Sequence, residues 1–153
     1  MNPIKICLAA ASDLPAVLDM IHALAAHHDD VATLSLGTLR RDVLGDAPWI
    51  KLIIAQSGPE LLGYAALYPL AQLQFGVRGM DMHHLFVKAD ARGRGVGKAL
   101  IKASIDHAKA AQCRFLMVGT HPDNLPAQQM YISAGFSSMP EPGPRFRMKF
   151  DAD

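Results

Sequence analysis

Between Val87 and Leu100 the chain reads VKADARGRGVGKAL, in which Gly93, Gly95 and Gly97 alternate with Arg92, Arg94, Val96 and Lys98. Apolar spacing downstream predicts a helix opening at Val96. A helix entrance leaves four backbone N–H groups without partners and carries about half a positive charge. Glycines at that point let backbone donors approach a ligand with no Cβ in the way. Residues 92–98 are therefore suited to cradle a phosphate or pyrophosphate, with Arg92, Arg94 and Lys98 adding charge at the rim. Two better-known phosphate loops do not fit. A P-loop requires Ser or Thr after its Gly-Lys, and Ala99 follows Gly97-Lys98 here. A dinucleotide fingerprint started at Gly93 would need glycine where Lys98 stands.

Other reactive side chains are read structurally. His22, His27, His28, Asp29 and Asp30 cluster in sequence, but their spacing matches no zinc motif, so no metal is expected. Imidazoles at a helix C-terminus complement its dipole instead. Cys7 and Cys113 are too few for a disulfide framework and are expected to be reduced. Cys113 opens an apolar strand and reads as core. The net charge of +1 offers no global field for nucleic acid, so an anion must be recognised locally. No apolar run reaches the roughly 20 residues needed to cross a bilayer. The first residues are too short an apolar stretch for a signal peptide, which makes a cytoplasmic protein the expectation.

Several elements must position the loop. With 153 residues, 50% hydrophobic and 19% charged, the chain reads as one domain, residues 1–153, with a sizeable core. Ile4 to Ala9 suits a first strand. A helix follows, capped at Ser12-Asp13, with Leu14, Val17, Leu18, Ile21, Leu24 and Ala25 on one face as far as about His28. A second helix covers Leu36 to Leu44 and stops at Gly45. Trp49–Gln56 and Leu61–Pro69 form a hairpin around Ser57-Gly58-Pro59-Glu60. Further strands are expected at Gly79–Lys88, Arg114–Gly119 and Phe146–Phe150, with a short helix at Pro126–Ala134. On that last strand Arg145, Arg147 and Lys149 would share a face. The order favours an α/β or α+β three-layer sandwich.

Arg92-Gly-Arg-Gly-Val-Gly97 matches the pattern [QR]-x-x-G-x-[GA], and on this ground the chain resembles the GNAT superfamily of N-acetyltransferases. Two further segments carry the likeness: the strand Met82-His-His-Leu-Phe-Val87, and Asn124 followed by Tyr131-Ile-Ser-Ala-Gly-Phe136. The resemblance runs along nearly the whole chain. It implies a mixed, mostly antiparallel central sheet of about six or seven strands, with a splayed central strand and flanking helices. It also implies acetyl-CoA as co-substrate, a small-molecule amine as acceptor and direct transfer in a ternary complex. A homodimer is expected on the same basis alone. Leu85, Phe86 and Val87 would pair with the pantetheine arm, and the amides of Arg92, Gly93, Arg94, Gly95, Val96, Gly97 and Lys98 would hold the pyrophosphate. Asn124 would touch the cofactor arm, and Tyr131 would be the general acid to the leaving thiolate.

The base is less defined. A lysine-like amine has a pKa near 10.4, so about one molecule in 10³ is neutral at pH 7, which costs roughly 4 kcal/mol. Members similar to the spermidine/spermine and thialysine acetyltransferase branch have a Glu–Asp pair where this chain has His83 and His84, and tend to have an acid near the position of His28. Histidine titrates near neutrality, so His83 is the expected base, with His84 or a water chain as alternatives. The two imidazoles can share a face only if a bulge lies between them. Asp81, Asp29 and Asp30 are further sources of negative charge, and Met80 and Met82 are candidates to line the acceptor slot. Loss of the acids weakens any polyamine reading. It also leaves open a non-catalytic acyl-CoA-binding or regulatory domain, while protein N-terminal or lysine acetylation would differ in partner rather than fold.

Overall fold

The computed structural model describes residues 2–151. Five strands and four helices follow one another: β1 (Ile4–Leu8), α1 (Leu14–His27), α2 (Leu36–Leu44), β2 (Lys51–Ser57), β3 (Glu60–Gln72), β4 (Val77–Val87), α3 (Val96–Ala110), β5 (Cys113–Val118) and α4 (Leu125–Ser133). The strands form one mixed sheet in sequence order, β1-β2-β3-β4-β5. The first four pair antiparallel, and β5 joins β4 in parallel after α3 has crossed over.

Local chemistry explains the elements. Gly58, at φ 58°, turns the β2–β3 hairpin, and Gly76, at φ 61°, precedes β4. Ser35 caps α2: its hydroxyl accepts from the Thr38 amide at 3.1 Å, and Thr38 Oγ1 accepts from the Ser35 amide at 3.0 Å. Asp13 is differently employed from the expected cap. Its carboxylate accepts from the Ala10 amide at 2.8 Å, tightening a 3₁₀ turn over Ala11–Asp13 ahead of α1.

Each sheet face carries a core. Leu14, Val17 and Met20 of α1 join Leu39 and Val43 of α2, Leu52 and Ile54 of β2, Tyr64 and Ala66 of β3 and Phe86 of β4 in one buried cluster. On α3, Val96, Leu100, Ile101 and Ala108 are buried, and the helix packs on β2, β3, β4 and β5. Buried Ser104 spends its hydroxyl on the Leu100 carbonyl at 2.8 Å, so it costs that core no unpaired polar atom.

Contacts divide the chain into two compact units, one running to His121 and the other from Pro122 onward. The first contains the whole sheet with α1 to α3; the second contains α4. Within it Asn124 caps α4, its Oδ1 accepting from the Ala127 amide at 3.2 Å. Tyr131 packs edge-on to Phe136 at 5.8 Å between ring centroids.

Two expectations are corrected. The sheet has five strands among the described residues, not six or seven. Phe146–Phe150 is not a strand: Phe146, Met148 and Phe150 are 95%, 79% and 87% exposed. Alternating charge and bulk gave that segment a strand pattern, but a strand exists only where another strand takes up its hydrogen bonds. Arg145, Arg147 and Lys149 therefore share no strand face.

Candidate active site

The centre of the site is where β4 parts from its neighbour. The parallel ladder with β5 stops at Met82↔Val118, while β4 remains paired to β3 as far as Gly63↔Val87. One edge of residues 83–87 is thus without a strand partner among the described residues. The Lys88 amide donates to the Leu62 carbonyl of β3 at 2.8 Å. Antiparallel pairs alternate between exchanging and not exchanging hydrogen bonds. The amide of Phe86 accordingly turns toward β3, and those of Leu85 and Val87 turn to the open edge. The Val87 carbonyl points the same way and accepts from Arg92 Nε at 3.3 Å. Phe86 contributes its ring instead, tilted against Tyr64 at 6.1 Å within the core.

Beyond that edge lies the glycine-arginine loop. Gly93 and Gly95 have φ of 78° and 80°, and no heavy atom lies within 4 Å of where a Cβ on either would stand. Gly95 is the N-cap of α3 and provides no side-chain cap, so the amides of Val96, Gly97 and Lys98 open the helix without one. Arg92, Arg94 and Lys98 are exposed around them, while Val96 is buried and pins the turn to the α3 core. An open, positively polarised concavity beside a free strand edge suits a phosphate group with an extended arm.

A β-bulge lies at His83. Leu67 pairs with Met82 and Ala66 pairs with His84, leaving His83 as the extra residue. This is the condition under which both imidazoles share a face. Their rings stack at 4.4 Å and 16°. His83 is exposed and its ring lies edge-on to Tyr68 at 5.7 Å. His84 is half-buried, with Nδ1 3.0 Å from the hydroxyl of fully buried Tyr64. Burial, with lesser contributions from His83 and His28, lowers the pKa of His84 to about 4. His84 is consequently a neutral ring at physiological pH. The effect of His28 also places the C-terminal end of α1 near this cluster. Burial raises Asp81, against the opposing pull of His83 and of a hydrogen bond from Tyr68.

Most expected residues thus fall in two adjoining places: Leu85, Val87 and the loop 92–98 along the open edge, and His83 with His84 on the bulge. Tyr131 and Asn124 belong to the second unit. Burial raises the Tyr131 phenol, keeping it protonated. Met82, only 1% exposed, is core rather than slot lining. Asp29, at φ 55°, and Asp30 lie in the exposed turn after α1. Among the described residues no three His, Cys, Asp or Glu side chains are grouped to hold a metal. Sequence reading missed Tyr64 and Tyr68. Their four-residue spacing on one strand puts them on one face, and pairing with β4 sets them opposite Phe86 and Asp81.

Residues 21–136 match the model of the "Acetyltransferase (GNAT) family". The chain belongs to the GNAT acetyltransferase family. Among curated relatives, a thialysine N-epsilon-acetyltransferase from Bos taurus is 26% identical over 143 residues, covering 87% of this chain and 84% of the relative. An L-methionine sulfoximine/L-methionine sulfone acetyltransferase from Pseudomonas aeruginosa is 29% identical over 98 residues, covering 62% of this chain and 56% of the relative. The fold is that of an aminoglycoside acetyltransferase from an uncultured soil metagenomic sample, with a TM-score of 0.78 at 19% identity, covering 97% of each chain. An integron cassette protein from the mobile metagenome of V. cholerae superposes with the same TM-score at 24% identity, covering 97% of this chain and 94% of that one. The GNAT fold here is the mixed five-stranded sheet with four helices, and the chain is an acetyltransferase by family. Among the described residues no helix is long and apolar enough to cross a membrane.

Proposed function

We propose that this chain moves the acetyl group of acetyl-CoA to the primary amine of a small molecule, directly and within a ternary complex. The observation that carries this reading is the coincidence, within the first unit, of a strand edge opening at Met82↔Val118 and an uncapped glycine entrance to α3. The loop fits a pyrophosphate because two positive-φ glycines leave their side-chain space empty. Leu85 and Val87 fit a pantetheine arm because their amides turn to the open edge. Phe86 is removed from that role by the alternation.

When bound, the thioester supplies the acyl group: the amine nitrogen forms the new C–N bond, the C–S bond breaks, and the thiolate takes up a proton. The Val87 amide is the proposed donor to the carbonyl oxygen as negative charge develops there. His83, exposed on the bulge, accepts the proton of the incoming amine. Tyr64 stays protonated through burial, and its hydroxyl shares a hydrogen bond with Nδ1 of His84. Burial keeps the His84 ring neutral, so it does not repel an approaching ammonium. Tyr131 is the proposed acid for the thiolate, and Asn124, whose Oδ1 caps α4, the proposed contact to the arm through its amide nitrogen. Relatives named for thialysine and L-methionine sulfoximine support a small amine as acceptor.

Mixing the protein with acetyl-CoA and a panel of primary amines, while following free CoA, tests the reading. Release of CoA that depends on an amine is expected. Tight acetyl-CoA binding with no release from any amine would select the non-catalytic alternative.

A further inference from the structure

On the α2 side of the sheet the first unit carries a groove of about 300 Å³ whose lining includes Leu44, Trp49, Ile50, Leu52, Tyr68 and Pro69. It is predominantly apolar. Trp49 is 75% exposed and Leu44 42%, so two large apolar side chains at this groove are left uncovered. Tyr68 belongs both to this groove and to the bulge cluster. Its ring meets His83 at 5.7 Å and its hydroxyl bonds the Asp81 carboxylate. The groove therefore ends at Tyr68, whose ring and hydroxyl reach the proposed base and the Asp81 carboxylate.

We infer that this groove holds the apolar arm of the acceptor, so that the preferred substrate is a primary amine on an alkyl or aryl chain. The inference rests on the acetyl-transfer reading above for what happens at the amine end. Charge decides against a polyamine. Lys51 is the one charged residue in the lining, so a second ammonium would find no carboxylate and would face a cation instead. The amine end is provided for by Asp81 and His83, which lie across Tyr68. Size agrees as well, since about 300 Å³ is at the small end of ligand sites and matches one phenyl or hexyl arm.

Trp49 is the single tryptophan of the chain, so its fluorescence reports on the groove without any turnover. Titration with 2-phenylethylamine or hexylamine should give a saturable blue shift, whereas spermidine and 2-aminoethanol should give none. In a CoA-release assay, Leu44→Asp should lower kcat/KM for hexylamine relative to 2-aminoethanol by roughly tenfold, the scale of a lost apolar contact. Leu44 is exposed, so the variant should fold, and Tyr68→Phe offers a second probe from the other wall. A silent Trp49 with the apolar amines, an equal response to spermidine, or an unchanged substrate ratio in Leu44→Asp would overturn the inference. Failure of the function reading looks different: saturable Trp49 shifts without CoA release would sink acetyl transfer and keep the groove. CoA release with Trp49 silent would do the reverse.

Discussion

His84 ties chemistry and stability to one ring. The unfolded chain protonates this histidine near its ordinary value of about 6.5, and the folded chain only near pH 4. The folded state therefore holds its advantage above about 6.5 and loses it progressively as pH falls toward 4. Melting temperatures measured between pH 7 and pH 4 should decline, and His84→Gln should flatten the decline; an unaltered slope would contradict a neutral, buried ring. Tyr131→Phe should slow turnover tenfold or more and leave acetyl-CoA binding within about twofold, because general acid catalysis contributes roughly 10²–10⁴ while the ring body is kept. Calorimetry beside steady-state kinetics would separate the two, and loss of binding would argue against the acid role. At this scale the sequence was partly legible. Adjacent histidines in a strand pattern announce a choice between two faces, but the choice is made by Ala66 and Leu67 across the ladder, which leave His83 unmatched. No local signal in residues 82–87 carries that information.

The elements show the same division. The loop was readable because glycine and a helix start act locally: the φ of 80° at Gly95 is a requirement written in one residue. Gly95→Val would force a β-branched side chain into that region, at a cost of about 1–3 kcal/mol. Weaker acetyl-CoA binding by calorimetry and a lower melting temperature should accompany it. The β2–β3 hairpin around Gly58 was legible for the same reason. The spurious strand at Phe146–Phe150 shows where pattern fails, since its alternation is real but finds no partner strand. A Cβ on Gly79 would run into the ring of Phe115, near the start of the parallel ladder whose last pair is Met82↔Val118. Gly79→Ala should destabilise by about 1–3 kcal/mol and lower the melting temperature by several degrees. An unchanged melting temperature would mean that the ring moves aside freely.

At the scale of the whole molecule, the family and the class of reaction followed from three ordered segments, and the acceptor did not. The reason is physical. In the proposed reading phosphate binding would use backbone amides, whose positions glycines reveal, whereas acceptor selection would use side chains brought together from α2, β2, β3 and β4. Leu44 and Trp49 are near neighbours in the chain, and Tyr68 of β3 joins them only through the sheet. The central claim concerns the backbone, and amide hydrogen exchange tests it most directly. Without ligand, the Leu85 and Val87 amides should exchange fast and that of Phe86 slowly; saturating CoA should slow Leu85, Val87 and the amides of Gly93 to Lys98. If CoA binds and saturates while those amides exchange as before, the open edge of β4 and the entrance of α3 are not where it is held.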